Sequence, residues 1–186
     1  MEPIINKTKD RFIKIAESEI ENNPLISDMF DKIKLLDPYY NTALEFYLNE
    51  LYWLNLDEGN FVVFGHDLDG YFVMDKRDAE ILQITEFENS FRICFCNSDI
   101  DKFICFNNLF INWVMKRISN EITKDVIEVY SETLQKVLKN IDDKAFSDEN
   151  YFWIEPLYEI SEDFFPLGDA RIKLIEKLRN TPDLNF

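Results

Sequence analysis

The chain has 186 residues, of which 36 are acidic and 20 are basic, so that its formal net charge is −16. A chain of this length fits one domain and buries enough surface to fold without a disulfide or a metal ion. The acidic excess argues against nucleic-acid binding, because proteins of that class cluster Lys and Arg to neutralise phosphates. The charge either keeps the protein soluble or attracts a basic partner.

The cysteines and the N-terminus indicate a compartment. Cys94, Cys96 and Cys105 are an odd number and do not suggest a disulfide framework. The N-terminal residues are charged and lack the apolar stretch of a secretory signal. No apolar run approaches the roughly 18 residues that cross a bilayer. We therefore expect a cytoplasmic protein with no membrane segment.

The first fifty residues have helical spacing. Apolar residues share one face over residues 8–21, and Asn22-Asn23-Pro24 predicts the end of that helix. A second short helix is predicted over residues 25–35. Tyr40, Leu44, Tyr47 and Leu51 then follow one stripe after Asp37-Pro38.

The pattern changes to strands after residue 51. Residues 61–64 and 71–74 are rich in β-formers, and the Gly- and Asp-rich stretch between them predicts a hairpin. Residues 81–84 and 91–96 are further strand candidates, with turn residues before each of them.

Helical spacing returns at Ser98, which is predicted to cap a helix running to residue 118, with Asp101 three residues later. A second long helix is predicted over residues 121–141. Residues 151–154 are predicted to form an extra strand that Glu155-Pro156 stops. Asp169 is predicted to cap a last helix.

This order of elements predicts an α+β fold, with an antiparallel meander sheet of about four to six strands packed against N-terminal and C-terminal helices. We expect one domain over residues 1–186, in which residues 119–186 form a helical C-terminal extension.

Candidate catalytic and metal-binding groups are few. His66, the single histidine, precedes Asp67-Leu68-Asp69 and could hold a divalent ion or act as a base. Aspartates between glycines also favour a plain turn. With Cys94, Cys96 and Cys105, His66 would make four zinc ligands, but their spacing fits no known zinc motif, and buried free thiols are the alternative. We expect no catalytic residue and no cofactor or metal.

Two other groups of residues could be functional but have simpler structural explanations. Ser90, Ser98 and Ser131 lie in no motif that would place a base beside them. Trp53, Trp113 and Trp153 could line a ligand site, although such residues more often belong to a core.

Acidic residues concentrate in the predicted turns. If the meander brings its turns together, these carboxylates form a surface that grips a basic protein. The predicted partner-binding residues are Asp57, Glu58, Asp67, Asp69, Asp75, Glu86 and Glu88. The alternative is a solvated rim without function.

The middle of the chain resembles the SUKH superfamily. The resemblance lies in two strands around GHDLDG at residues 65–70, the short strand at residues 81–84 and the strand-to-helix step ICFCNSDIDKF at residues 93–103. Upstream, residues 36–48 are similar to a helix of that family. The resemblance covers about residues 25–118. It implies an α+β fold and the function of an immunity protein, which binds and blocks a toxin domain such as a nuclease or deaminase.

Three functions compete at this point. The first is a non-enzymatic immunity protein that neutralises a basic toxin domain through its acidic surface, as a monomer or weak dimer. The second is a regulatory or scaffold module that binds a host protein through exposed aromatic strands. The third is an enzyme that uses the region of His66.

Overall fold

A computed structural model describes residues 11–36, 45–67, 69–87, 90–119 and 121–162. Within these residues, one antiparallel sheet of seven strands packs against α-helices, which confirms the predicted α+β class. The predicted helix at Asp169 and the central residue Leu68 of the first hairpin turn lie outside the described residues. No helix in the described part of the chain is long and apolar enough to cross a membrane.

The strands of the sheet follow a meander. They are Ile13–Lys14 (β1), Glu45–Phe46 (β2), Tyr52–Leu56 (β3), Gly59–His66 (β4), Tyr71–Asp75 (β5), Ile81–Phe87 (β6) and Ser90–Asn97 (β7). Their order across the sheet is β1-β3-β4-β5-β6-β7, and β2 pairs with the end of β4. Every pairing is antiparallel.

The predicted hairpin of β4 and β5 is confirmed, and two glycines allow its close packing. The register shifts between Val63 and Gly65, so that Phe64 bulges from the β4–β5 ladder. A Cβ added at Gly70 would lie 2.5 Å from the carbonyl oxygen of Ile84, and one at Gly65 would lie 2.7 Å from that of Glu45. Side chains at these positions would prevent the neighbouring strands from approaching.

Five α-helices lie within the described residues. They are Glu17–Asn22 (α1), Pro24–Lys32 (α2), Ile100–Ile118 (α3), Ile127–Ile141 (α4) and Ile154–Ser161 (α5). Short 3-10 helices cover Ile33–Leu35, Lys124–Val126 and Asp143–Phe146. As predicted, α1 ends at Asn22, and the side chain of Asn23 caps α2 by accepting from the N–H groups of Leu25 and Ile26.

Aromatic rings join the sheet to the helices. The ring of Phe103 on α3 contacts Phe64 and Phe72 of the sheet, with centroids 5.6 and 5.3 Å away. Trp153 also packs against Phe103 and Phe106 of α3. Buried residues of α4 and α5 belong to the same core cluster as the sheet.

The N-terminal segment differs from the prediction. Residues 13 and 14 pair with β3 as a strand, and helix begins only at Glu17. Phe12 packs on Tyr52 and Tyr71, at centroid distances of 5.8 and 4.7 Å. The predicted stripe from Tyr40 to Leu51 is wrong from residue 45 onward, because Glu45–Phe46 is a strand that pairs with β4. In both places the segment has helical spacing but pairs with a strand edge that no other strand of the described residues covers, and this tertiary pairing decides its structure.

The C-terminal part also differs at several points. Asp99, not Ser98, caps α3, since its side chain accepts from the N–H of Lys102 at 2.9 Å. The second long helix begins at Ile127, after the 3-10 turn. Residues 151–153 form a turn rather than a strand. Pro156 does not end the segment but lies in the first turn of α5, where no N–H is needed.

Candidate partner-binding site

The predicted acidic residues divide between the two ends of the sheet. Successive hairpin turns of a meander lie at alternate ends, so that the turns after β3 and β5 are at one end and those after β4 and β6 at the other. We name the first the Asp57 end (Asp57, Glu58 and Asp75) and the second the Asp69 end (Asp67, Asp69 and Glu86). The eight residues of β4 separate them by roughly 25 Å. Glu88 lies outside the described residues.

Basic side chains accompany the carboxylates at the Asp57 end. Asp75 is buried, and the guanidinium of Arg77 donates to both of its carboxylate oxygens, from Nη2 at 2.6 Å and from Nε at 3.1 Å. These bonds hold the pKa of the Asp75 carboxyl below its usual value. Lys144 pairs with Glu80, and Lys76 lies over the ring of Trp53. Asp57 and Glu58 are exposed in their turn, but the end as a whole carries mixed charge.

Asp67 organises the turn at the Asp69 end. Its Oδ1 accepts from the N–H groups of Asp69 and Gly70 at 2.9 and 2.8 Å. Its Oδ2 accepts from the side-chain amide of Gln83 on β6, at 2.6 Å. The turn interpretation of this stretch is therefore confirmed, and the carboxylate of Asp67 is directed into the protein. Burial raises the pKa of Asp67 to about 6, although the two backbone bonds act in the opposite direction.

Exposed carboxylates surround this turn. Asp69 is exposed at its tip. Glu45 of β2 lies opposite His66 in register, and 61% of its side chain is accessible. Glu86, near the end of β6, is half-buried. Arg92 lies across from Thr85 at the same end and supplies positive charge to β7.

His66 lies beside this surface in an aromatic cluster. Its Nδ1 is 3.0 Å from the hydroxyl of Tyr47, and its Nε2 is 3.9 Å from a carboxylate oxygen of Glu45. Its ring packs near those of Tyr47 and Tyr71. Burial raises the pKa of both tyrosines well above the usual value, so that their hydroxyls stay protonated and can donate hydrogen bonds. These contacts give His66 a structural role in holding β2 to β4.

The cysteines do not meet His66 in a metal site. Cys94 and Cys96 are buried, and the thiol of Cys94 donates to the carbonyl of Asn150 at 2.9 Å. Cys105 is exposed on α3, contrary to the expectation of three buried thiols. Among the described residues, no group of three or more His, Cys, Asp or Glu could hold a metal ion. The tryptophans are mostly core residues, as expected: Trp113 and Trp153 are buried and Trp53 is half-buried.

Two members of this site could not be found by sequence reasoning. Glu45 lay in a segment with helical spacing, so nothing placed it beside the turn of β4 and β5. Gln83 occupies an alternating strand position, and only the pairing of β5 with β6 brings its amide to Asp67.

The comparisons with known proteins give one family. The family model described as SUKH-4 immunity protein matches residues 44–159, which is 116 of the 186 residues. No curated protein and no solved structure matches the chain. The match includes the meander and the strand-to-helix step that carry the SUKH resemblance. The resemblance ended at about residue 118, whereas the family match continues through α4 and into α5.

Proposed function

This chain belongs to the SUKH-4 immunity protein family, and we propose that it neutralises a basic toxin domain with the acidic surface at its Asp69 end. Family membership confirms the predicted superfamily and supports an immunity function with a protein partner. The kind of toxin and the surface that binds it are the parts that we propose.

The observation that favours the Asp69 end is the difference in charge pairing between the two ends. At the Asp57 end, Arg77 and Lys144 already pair with Asp75 and Glu80. At the Asp69 end, the carboxylates of Asp69 and Glu45 are exposed beside the turn in which Asp67 accepts two backbone hydrogen bonds. Within the described residues, Glu45 contacts the imidazole of His66 at 3.9 Å rather than a lysine or arginine. Exposed carboxylates of this kind can complement a basic surface.

The chemistry of the partner follows from this charge. A nuclease or deaminase that acts on nucleic acid carries Lys and Arg where phosphates bind. An acidic surface can occupy that region and exclude the substrate, so inhibition requires no reaction by the immunity protein. We therefore propose a non-enzymatic inhibitor, acting in the cytoplasm, where free thiols persist.

Charge reversal tests the proposal with a matched control. The double variant Glu45→Lys with Asp69→Lys changes the Asp69 end, and Asp57→Lys with Glu58→Lys changes the other end. Each variant replaces two negative charges with two positive ones, which takes the net charge from −16 to −12. Long-range attraction thus falls equally in both, and only the local contacts differ. Asp67 is left unchanged because its substitution would disturb the turn.

Association with a purified toxin domain that this chain neutralises is measured by stopped flow at two salt concentrations. We expect the Glu45/Asp69 variant to bind about tenfold more slowly and with a weaker salt dependence, and the control to change roughly twofold. The opposite ranking would assign binding to the Asp57 end. Wild-type binding by both variants would remove the acidic turns from the interface and leave family membership untouched.

A further inference from the structure

The strand β7 forms one outer edge of the sheet, and within the described residues only its second half is covered. There the N–H of Phe152, in the turn before α5, donates to the carbonyl of Phe95 at 3.0 Å. In the first half of the strand, Arg92 and Ile93 are exposed. This part of β7 is therefore an edge that solvent or a partner can reach.

The bond from Phe152 also shows which backbone groups of β7 point away from the sheet. In an antiparallel strand, the N–H and C=O of one residue point to the same side, and alternate residues share that side. Because Phe95 directs its carbonyl away from β6, Ile93 and Phe91 direct their backbone groups away as well. The register agrees, since Ile84, opposite Ile93, directs its carbonyl toward Gly70 on the far side of β6.

These outward backbone groups are open. Within the described part of the chain, no group forms a hydrogen bond with the outward N–H and C=O of Phe91 and Ile93. The two residues lie roughly 7 Å apart along the strand. Donors and acceptors repeated at this spacing match the backbone of another extended segment, which binds by adding a strand to the sheet.

Arg92 selects the kind of segment that fits. It lies between the two outward residues, and its side chain is exposed. A second copy of this chain that used both outward residues in antiparallel pairing would set Arg92 directly opposite Arg92, and like charges in that position destabilise a strand pair. Two chains of net charge −16 also repel each other. A different chain with a carboxylate opposite Arg92 would instead gain an ion pair.

The open edge is continuous with the Asp69 end. The strand β7 begins directly after the turn from β6, which lies at that end, and Phe91 is opposite Glu86 in register. The guanidinium of Arg11 lies over the ring of Phe91, 5.0 Å from its centroid. A protein that contacts the acidic surface therefore meets this edge beside it, where Arg11 and Arg92 supply positive charge.

We propose that the toxin domain adds an extended segment, antiparallel to β7, at residues 91–93, with an acidic side chain opposite Arg92. This inference rests on the proposed function, because it gives the same partner a second contact at the Asp69 end. The backbone hydrogen bonds hold the segment in register. The exposed carboxylates of the Asp69 end attract the basic residues of the domain around it.

Amide hydrogen exchange followed by NMR tests the added strand. The labelled chain is measured alone and when saturated with a purified toxin domain that it neutralises. In the free chain, the N–H groups of Phe91 and Ile93 should exchange fast, whereas that of Arg92, which points to β6, should be protected. In the complex, exchange at Phe91 and Ile93 should slow by at least about tenfold. Unchanged rates at both residues in the saturated complex overturn the proposal.

Proline at residue 93 tests the backbone bonds directly, because it removes an outward N–H and none that points to β6. We expect Ile93→Pro to weaken the affinity for the toxin domain about tenfold. Ile93→Val keeps the N–H and should change the affinity less than about twofold. Thermal melts of both variants check folding, and the exchange rates of the wild type decide the matter if the proline variant does not fold. A folded Ile93→Pro variant with wild-type affinity overturns the added strand.

A further variant tests the charge of the segment. Arg92→Glu takes the net charge from −16 to −18, so long-range attraction to a basic domain increases. The variant should nevertheless bind several-fold more weakly, because it sets like charges opposite each other. Tighter binding by Arg92→Glu overturns the carboxylate that we place opposite it.

These outcomes are separate from those of the charge reversal at Glu45 and Asp69. Protection of Phe91 and Ile93 together with wild-type binding by the Glu45/Asp69 variant would support the added strand and reject the acidic surface. Association that depends on Glu45 and Asp69 but leaves Phe91 and Ile93 unprotected would retain the proposed function and overturn the added strand.

Discussion

Asp67, one of the predicted partner-binding residues, shapes the turn at the surface that we propose for binding. Its carboxylate accepts from two backbone N–H groups of its own turn and from Gln83 of the next strand but one in the chain. The side chain is therefore occupied inside the protein. Its neighbour Asp69, which makes the tip of the turn, presents its charge to solvent. The two side chains are chemically identical, and only their positions in the turn make one of them buried and the other exposed.

The raised pKa of Asp67 predicts a pH dependence of stability. The folded protein holds a proton up to about pH 6, whereas an unfolded aspartate releases it near pH 4. The contribution of Asp67 to stability is therefore fully present below pH 4 and is lost as the pH rises through 6. We expect Asp67→Asn to flatten the change in unfolding free energy between pH 4 and 7 by about 2 kcal/mol.

Urea denaturation across this pH range measures the effect. The asparagine can still accept from the turn N–H groups, and the amide of Gln83 can reverse to accept from it. Asp57→Asn, at the other end of the sheet, is the control and should follow the wild-type profile. Parallel profiles for wild type and Asp67→Asn would show that Asp67 does not titrate differently in the folded protein.

At the scale of elements, a buried polar network connects the sheet to the C-terminal helices. Asp142, directly after α4, accepts from the N–H and the hydroxyl of Ser98, both at 2.8 Å, and from the side-chain amide of Asn97 at 3.2 Å. The oxygen of the Asn97 amide accepts from the indole of Trp153, at 2.8 Å. The network thus joins the end of β7, the start of α3, the end of α4 and the start of α5. Asn97 and Ser98, which belong to the strand-to-helix segment that resembles the SUKH superfamily, therefore have a structural role.

Removal of Asp142 should therefore loosen the helices from the sheet. We expect Asp142→Ala to lower the unfolding free energy by about 3 kcal/mol, because it leaves buried donors of Asn97 and Ser98 without an acceptor. Asp143→Ala, one residue further and exposed, should change it by less than about 0.5 kcal/mol. Guanidinium titrations followed by tryptophan fluorescence give both values. Equal values for the two variants would remove the network as a source of stability.

At the scale of the whole molecule, the net charge of −16 has two opposing consequences. It favours long-range association with the basic partner that we propose, and it repels parts of the same fold from one another. The sheet distributes this charge to both of its ends. The pairing of Asp75 with Arg77 and of Glu80 with Lys144 lowers it at one of them.

Self-repulsion predicts that salt stabilises the protein. Raising NaCl from about 10 to about 150 mM shortens the Debye length from roughly 30 to roughly 8 Å. We expect Tm to rise by about 3 °C, which corresponds to about 1 kcal/mol for a chain of this size. The Asp57→Lys/Glu58→Lys variant, with a net charge of −12, should rise less. A fall of Tm with salt would mean that attractive ion pairs outweigh the repulsion.

The elements that could be predicted are those whose hydrophobic pattern fits only a strand or only a helix. Alternation and turn residues placed β4, β5, β6 and β7, and a long apolar stripe placed α3. Elements at the margins failed because short stretches satisfy two patterns: residues 13 and 14 fit a helix by spacing but pair with β3. Residues 151–154 are rich in β-formers, yet residues 151–153 form a turn that buries Trp153 in the core, and Ile154 begins α5. The single domain over residues 1–186 and the seven acidic contacts remain predictions.

By itself, the sequence determined the α+β class, the acidic character and the resemblance to an immunity family, because these depend on composition, local period and short motifs. Only the tertiary structure decided which carboxylates lie together. Antiparallel pairing sends successive turns to opposite ends of the sheet, so that neighbours along the chain become distant, and Glu45 joins Asp69 across a register that no local pattern records.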